Sequence, residues 1–288
     1  MSDLEWLEPT SIAEALDFSA QHGEEGKLLA GGTWLALVLK QGLLVPSALI
    51  SLHQIAGLNH IRYEPGIGLR IGAMVSLTAA EKSAVIREHF PELAYTCGVV
   101  ANVRIRNQAT VGGCLCDADY ASDPPSMFAA LDARVVLQGN NSQREVAVSE
   151  FITGHYETVI EPGEILIEVI VPERADTVRG VYLKYRTRSH EDRPCVGVAA
   201  IADIDPAGVC RQLSIAIGAV ADTPQLVNNA SAEAVGQQLT PRLIDRVAKG
   251  YADSIEPLSD IRGSSWYRQQ MIHVHVKRAL SQLGGVVA

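Results

Sequence analysis

The chain has 288 residues, 47% of them hydrophobic and 20% charged, with a net charge of −9. That length exceeds one small domain and can bury a substantial core, so two or three domain-sized units are expected. The acidic balance excludes broad nucleic-acid binding, which needs a basic footprint to neutralise phosphates; a single anion can still be held where backbone N–H groups and a few cations converge.

The opening MSDLEWLEPT has neither a basic n-region nor an apolar h-region, so no secretory signal is expected. Apolar runs such as Leu28–Leu39 are broken by glycines and fall short of the ~18 residues a membrane span requires, so no span is expected. The 5 cysteines are an odd number, scattered between positions 97 and 210. They suggest no disulfide framework, and the cytoplasm is the expected compartment.

Ser11-Ile12-Ala13-Glu14 fits a capping box and opens a helix to about Gln21. A short strand follows at Lys27–Ala30, then Gly31-Gly32, then TWLALVLKQG, a helix capped by Thr33 and stopped at Gly42. A strand at Ala48–Leu52 comes next. From residue 60 to 171 the pattern turns to strands, in GIGLRIGAMVSL, ARVVLQG, REVAVSEF and EILIEVIVP. Helices interrupt it at 79–88 and at about 89–102, the second with Pro91 near its start. This reads as an α+β fold with a mainly antiparallel sheet. The polar, proline-initiated stretch VPERADTVRG (171–180) marks a boundary. Beyond it, VYLKYRTRS, CVGVAAIADI and VCRQLSIAIGAV predict a small antiparallel sheet. Helices are expected at 231–239, at 241–255 with Thr240 as cap and Pro241 at its first position, and at 265–283. The expected division is 1–175, with parts of about 1–55 and 56–175, followed by 176–288.

Two diglycines stand out, Gly31-Gly32 and Gly112-Gly113 within ATVGGCLCDADYASDPP. Glycine lets backbone approach a ligand closely and frees consecutive N–H groups to point at one anion, and a helix start nearby adds fractional positive charge. Two such bends suit the two phosphates of a pyrophosphate; the plain alternative is that each merely turns the chain. No G-x-G-x-x-G follows a strand and no GxxxxGK[ST] is present, so neither a Rossmann site nor a P-loop is expected. In VYLKYRTRSH a strand would set Lys184, Arg186 and Arg188 on one face, where like charges repel. Glu191 and Asp192 can relieve them, or an anionic cofactor can, with Lys184 beside a reduced flavin or a phosphate. Asp123, ahead of Pro124, reads either as a helix cap or as an acceptor for sugar-like hydroxyls. Cys114 and Cys116, in extended chain, point to opposite faces, so small apolar packing is favoured over a metal site. His273 and His275 are two apart on a helix and do not share a face. No catalytic constellation and no metal site is expected.

With LLAGGTWL and RNQATVGGCLCDADYASDPP in hand, the chain resembles the FAD-binding medium subunit of the molybdenum hydroxylases, the xanthine dehydrogenase and carbon monoxide dehydrogenase family. AGGT, IGAMVSLTAAEKS, IRNQATVGG, EPGEILIEVIVP and SDIRGSSWYRQQMIHVHVKRAL carry the resemblance nearly end to end. It implies a vanillyl-alcohol-oxidase-type (PCMH-type) FAD-binding domain and a C-terminal flavoprotein domain of small antiparallel sheet plus helices. By position, Leu29, Ala30, Gly31, Gly32, Thr33 and Trp34, with Lys27 and Leu28 before them, would wrap the FAD pyrophosphate. Ala101, Thr110, Gly112, Gly113 and Cys114 would form the second phosphate and ribityl loop. Asp123 would hold ribityl hydroxyls, Ile165 and Leu166 would pack near the isoalloxazine, and Lys184 would approach the ring. Cys114 departs from the family's usual asparagine, and Trp34 from a small polar residue. The resemblance further implies a large molybdenum-cofactor subunit and a small subunit with two iron–sulfur clusters, assembled as a dimer of heterotrimers. Electrons would reach FAD in this chain from those clusters and leave to an external acceptor. A self-contained FAD oxidoreductase and a cofactor-free scaffold are the alternatives.

Overall fold

A computed structural model describes residues 4–285. The ends of the two expected units, residues 1–3 and 286–288, lie outside the described residues. The chain begins with β1 (Glu5–Leu7), α1 (Ile12–His22), β2 (Gly26–Leu29), α2 (Leu35–Lys40) and β3 (Ala48–Ser51). β3 sits between β1 and β2 and runs parallel to both, because a helix or helix-containing segment carries the chain back between successive strands. Ser11 caps α1 through its hydroxyl, which accepts from the Glu14 N–H at 3.2 Å. The returning Glu14 carboxylate accepts instead from the Thr10 N–H at 2.7 Å, one residue earlier than a capping box requires. The expected cap at Thr33 does not form: α2 starts one residue later, with Trp34 in the cap position and no side-chain cap bond.

The middle of the chain holds β4 (Ile61–Glu64), β5 (Gly68–Gly72), α3 (Leu77–Lys82), α4 (Ala84–His89), α5 (Pro91–Gly98), α6 (Val103–Gln108), α7 (Val111–Cys116) and α8 (Pro124–Ala130). After them come β6 (Arg134–Gln138), β7 (Gln143–Ala147), α9 (Val148–Phe151), β8 (Ile152–Gly154), β9 (Glu157–Thr158) and β10 (Ile165–Pro172). A five-stranded antiparallel sheet runs β4-β5-β10-β6-β7, and β8 with β9 form a separate hairpin. The helix expected at 79–88 is two helices, because the Ser83 hydroxyl accepts from the Ile86 N–H and starts a second one. The helix expected at 89–102 ends at Gly98, and Asn102 caps the separate α6 by accepting from Arg104 and Ile105 N–H. REVAVSEF is strand only as far as Ala147, and the rest is one helical turn.

The last part comprises β11 (Val178–Tyr185), β12 (Val196–Ile204), β13 (Cys210–Gly218), β14 (Gln225–Leu226), α10 (Asn228–Ala232), α11 (Pro241–Ser254) and α12 (Ser265–Leu283). The strands form a four-stranded antiparallel sheet in sequence order, and α11 and α12 cover it, burying Val198, Ile215, Ile244, Val247, Ile272 and Val276 together. Thr240 caps α11 as expected, accepting from Leu243 N–H at 3.3 Å. The helix expected at 231–239 shrinks to α10, and turns fill the remainder. The α+β expectation therefore holds, with helices gathered beside largely antiparallel sheets.

The loop after α7 ties this last sheet to the rest. The Ala219 N–H donates to the Tyr120 carbonyl at 3.0 Å, and the Tyr120 hydroxyl donates to Asp260 at 2.6 Å. Asp260 also accepts from Arg262 at 2.8 Å and from Arg268, a fully buried guanidinium, at 2.6 Å. Burial pushes the Asp260 carboxyl up, yet the bonds from Tyr120, the Arg262 backbone and Arg268 outweigh it and hold its pKa well below the usual range. The 117–123 loop is thus fixed on one side while its other side faces the cavity described next.

Candidate functional site

A cavity of about 410 Å³ and a second of about 220 Å³ share Thr33, Trp34, Ala109, Cys114 and Asp117 in their walls, so they are two chambers of one cleft. Those volumes suit a small-molecule ligand. Lys27 through Trp34 line the first chamber, together with Thr110, Gly113, Ile165 and Leu166. Ala101, Asp123 and Lys184 line the second. Cys114, Thr33 and Trp34 belong to both. Of the residues the resemblance assigns to the cofactor, only Gly112 lines neither chamber.

The two diglycine segments meet because glycine allows it. A Cβ on Gly31 would collide with the Gln108 carbonyl, so the first segment lies directly on the end of α6. Gly32 has φ +68°, which a side chain rarely adopts. Among the described residues the N–H groups of Gly32, Thr33 and Trp34 donate to no protein acceptor, which leaves them free to donate to an anion.

The second segment departs from expectation. Gly112-Gly113 is no turn but the first turn of α7, with Thr110 as cap. Its amides are already used: Gly112 N–H donates to the Ala73 carbonyl at 2.9 Å, Gly113 N–H to Thr110 Oγ1 at 3.0 Å and Cys114 N–H to the Thr110 carbonyl at 2.9 Å. Gly112 faces away from the cleft, where a Cβ would lie 2.7 Å from the Ala73 Cβ. Gly113 lines the first chamber, and a Cβ there would lie 2.8 Å from Thr110 Oγ1, displacing that cap, and 3.8 Å from the Ala30 Cβ. The idea that both diglycines offer bare amides to one diphosphate is therefore corrected: the first offers amides, the second offers room. The C-x-C pair is helical rather than extended, and both residues line the first chamber. Cys114 is buried, whereas Cys116 is exposed to solvent.

Asp123 and Lys184 form one unit. Asp123 precedes α8 but makes no cap bond. Its carboxylate accepts from the Tyr182 hydroxyl at 2.7 Å and from Lys184 Nζ at 2.7 Å. Lys184 also donates to the Val99 carbonyl at 2.9 Å. Burial pushes the Asp123 carboxyl up, against the pull of Lys184 and Tyr182. The expected row of three cations on one strand face does not exist, because β11 stops at Tyr185. Arg186 donates to the His190 carbonyl and Arg188 approaches Asp192, both beyond the strand. Ile165 and Leu166 line the first chamber and Lys184 the second.

Several lining residues were not anticipated. Ala101, which was, has φ 42°, and its flanking carbonyls are gathered by Arg106. Tyr156 and Ile160 reach the first chamber from the β8–β9 hairpin and its exit, and Asp117 lies where the chambers join. Tyr182, behind Asp123, had only its alternation toward one face of β11 as a signal. Burial above all raises the Asp117 carboxyl to about 7, with the Asp119 carboxylate adding and Arg193 opposing. Among the described residues no group of three or more His, Cys, Asp or Glu side chains could hold a metal ion, and no helix is long and apolar enough to cross a membrane.

The two glycines of α7 are expected to behave oppositely on substitution. Gly112→Ala overpacks Ala73 and should lower stability by about 1–3 kcal/mol. In Gly113→Ala, helix propensity gains about 0.5–1 kcal/mol and offsets a weakened Thr110 cap worth ~1 kcal/mol. Its melting temperature should stay near the parent's while FAD uptake falls. Thermal melts paired with flavin absorbance check both, and equal FAD content in Gly113→Ala and parent would refute the second.

Residues 2–174 match the family model for the FAD binding domain in molybdopterin dehydrogenase, and residues 181–283 that for the CO dehydrogenase flavoprotein C-terminal domain. The chain is 32% identical over 275 residues to the carbon monoxide dehydrogenase medium chain of Afipia carboxidovorans, covering 95% of this chain and 94% of that one. It is 26% identical over 273 residues to the xanthine dehydrogenase FAD-binding subunit of Escherichia coli O157:H7, covering 94% and 93%. A chain in the crystal structure of cyanide-inactivated Cu,Mo-CO dehydrogenase superposes with a TM-score of 0.94 at 30% identity over 99% of both chains. The fold, the cleft and these likenesses together identify the chain as a member of the FAD-binding medium subunits of the molybdenum hydroxylases, the carbon monoxide and xanthine dehydrogenase family.

Proposed function

We propose that this chain is the electron-exit subunit of a cytoplasmic molybdenum hydroxylase, built with a large molybdenum-cofactor subunit and a small subunit of two iron–sulfur clusters as a dimer of heterotrimers. The observation that carries the reading is the meeting of two distant glycine-containing segments in one cleft whose far chamber holds a buried lysine. Relatives named as medium chains of dehydrogenases support the partner subunits. A division of the chain at 175/176 is supported by strand pairing: β10 belongs to the five-stranded sheet and β11 to the four-stranded one. When bound, FAD supplies a carrier that accepts electrons singly and releases them in pairs.

The residues divide the dinucleotide between the chambers. Leu28, Leu52, Met74, Ile165 and Leu166 wall the first with apolar surface suited to the adenosine half. The open amides of Gly32, Thr33 and Trp34, at the junction, suit the diphosphate. The second chamber then receives the flavin half. Lys184 has three N–H donors and uses two on Asp123 and Val99, so the third is available for a ring oxygen or nitrogen. Asp123 and Tyr182 fix the direction of that donor.

Three tests follow from this assignment. Lys184→Met leaves the Asp123 carboxylate buried without its cation, which should cost about 3–5 kcal/mol of stability. Adding Asp123→Asn should recover most of that, while the flavin potential stays lower than the parent's by on the order of tens of mV in both variants. An unchanged potential in the double variant would refute the role of Lys184. Asp117, raised to about 7, is mostly neutral at pH 6 and mostly charged at pH 8. Repulsion between its carboxylate and the diphosphate should weaken FAD binding about three- to tenfold over that window, and Asp117→Asn should flatten the dependence in calorimetry. Native co-purification followed by metal analysis should yield molybdenum and iron with the flavin; a flavoprotein that purifies alone and turns over a substrate by itself would favour the self-contained oxidoreductase.

A further inference from the structure

Resting on the FAD reading above, we propose that Trp34 and Tyr156 form a pre-set aromatic clamp over the adenosine half of the bound dinucleotide that sets how fast the cofactor leaves. The two rings come from separate elements. Trp34 ends the loop with the open amides and lines both chambers, whereas Tyr156 sits at the tip of the β8–β9 hairpin and lines only the first. Their centroids lie 5.1 Å apart at 46°, a tilted contact that leaves ring surface free on the cavity side. Tyr156 is 46% exposed, so its ring is not part of a core.

The hairpin tip is held under strain. Tyr156 has φ 64°, and its N–H donates at 3.0 Å to the carbonyl of Ala118, itself at φ 44°. A bulky residue in the left-handed region is unfavourable and persists only where its surroundings enforce it. Glycine would make the same turn without strain, so what the tyrosine adds is its ring over the chamber. The ring is also backed from outside: His155 stacks on it at 3.9 Å, and Tyr120 meets His155 edge-on at 5.0 Å. Tyr120 is pinned in turn by its bond to Asp260. The stack therefore runs from the cleft to a fixed point on the last sheet, and Tyr156 is pre-set rather than free to swing. Tyr156 shares its chamber with Ile165 and Leu166, away from Lys184 and Asp123, which directs the clamp to the purine end. Flat aromatic surfaces stack on purines with useful affinity.

The test measures FAD dissociation from the intact chain, ADP affinity by calorimetry and melting of the cofactor-free protein. FAD should leave about tenfold faster from Trp34→Ser and from Tyr156→Gly, with ADP weakened by a similar factor. The double variant should be no worse than the more affected single one, since each ring works through the other. Tyr156→Phe should match the parent. Cofactor-free Tyr156→Gly should melt no lower than the parent, because glycine relieves the strained φ, and this separates clamping from a structural role. Parent-like release in both single variants overturns the proposal, as does faster FAD release with unaltered ADP affinity. A parent chain that takes up no FAD at all overturns instead the reading on which the clamp rests.

Discussion

The approach of Gly31 to the carbonyl of Gln108 is the constraint on which the rest of the site depends. A Cβ at that position would collide with the α6 carbonyl, so only glycine lets the loop after β2 lie against the segment between α6 and α7. That contact brings two stretches nearly eighty positions apart into one wall. Among the described residues the amides of Gly32 to Trp34 have no partner, and the contact sets Trp34 where the two chambers meet.

Much of the architecture was legible because local signals and tertiary structure agree. Thr240 with Pro241, and the 265–283 period, predict the last two helices to within a residue. Three of the four strands of the last sheet were legible in the sequence, whereas the two-residue β14 was not. Legibility failed where a single side chain starts a new helix inside a helical pattern, as Ser83 and Asn102 do. It failed again at the second diglycine, where composition suggests a turn but Thr110 supplies a cap and Ala73 a packing surface. Glycine written twice in a row carries two different meanings here, one conformational and one steric, and nothing local distinguishes them.

The pairing of Asp123 with Lys184 shows the same limit for charged groups. Each was conspicuous alone, one before a double proline and the other in a cationic stretch. Their bond spans 61 positions, and periodicity cannot report a contact between a loop and a strand in different sheets. The strand reading also overran: β11 ends at Tyr185, so Arg186 and Arg188 never share a face with Lys184. Tyr156 was invisible for a related reason, since a hairpin of two- and three-residue strands leaves almost no pattern.

An acidic chain must hold an anionic dinucleotide with few surplus cations, and the geometry explains how. Lys184 is neutralised by Asp123, and Arg193 by Asp119 at 2.5 Å. Two of the cleft's cations are thus matched before any ligand enters, which leaves Lys27 of the first chamber as the remaining lining cation. In the proposed site, attraction for a diphosphate would then come from Lys27 and from backbone dipoles, which carry no net charge and are held by the loop wedged against α6. Asp117, the acidic group at the junction, sits where burial disfavours its charge, so the nearest source of repulsion is weakened by the same desolvation that shapes the cleft. The net charge of −9 thus says little about the cleft, where the amides of Gly32 to Trp34 and the Lys27 ammonium are the groups proposed to meet the phosphates.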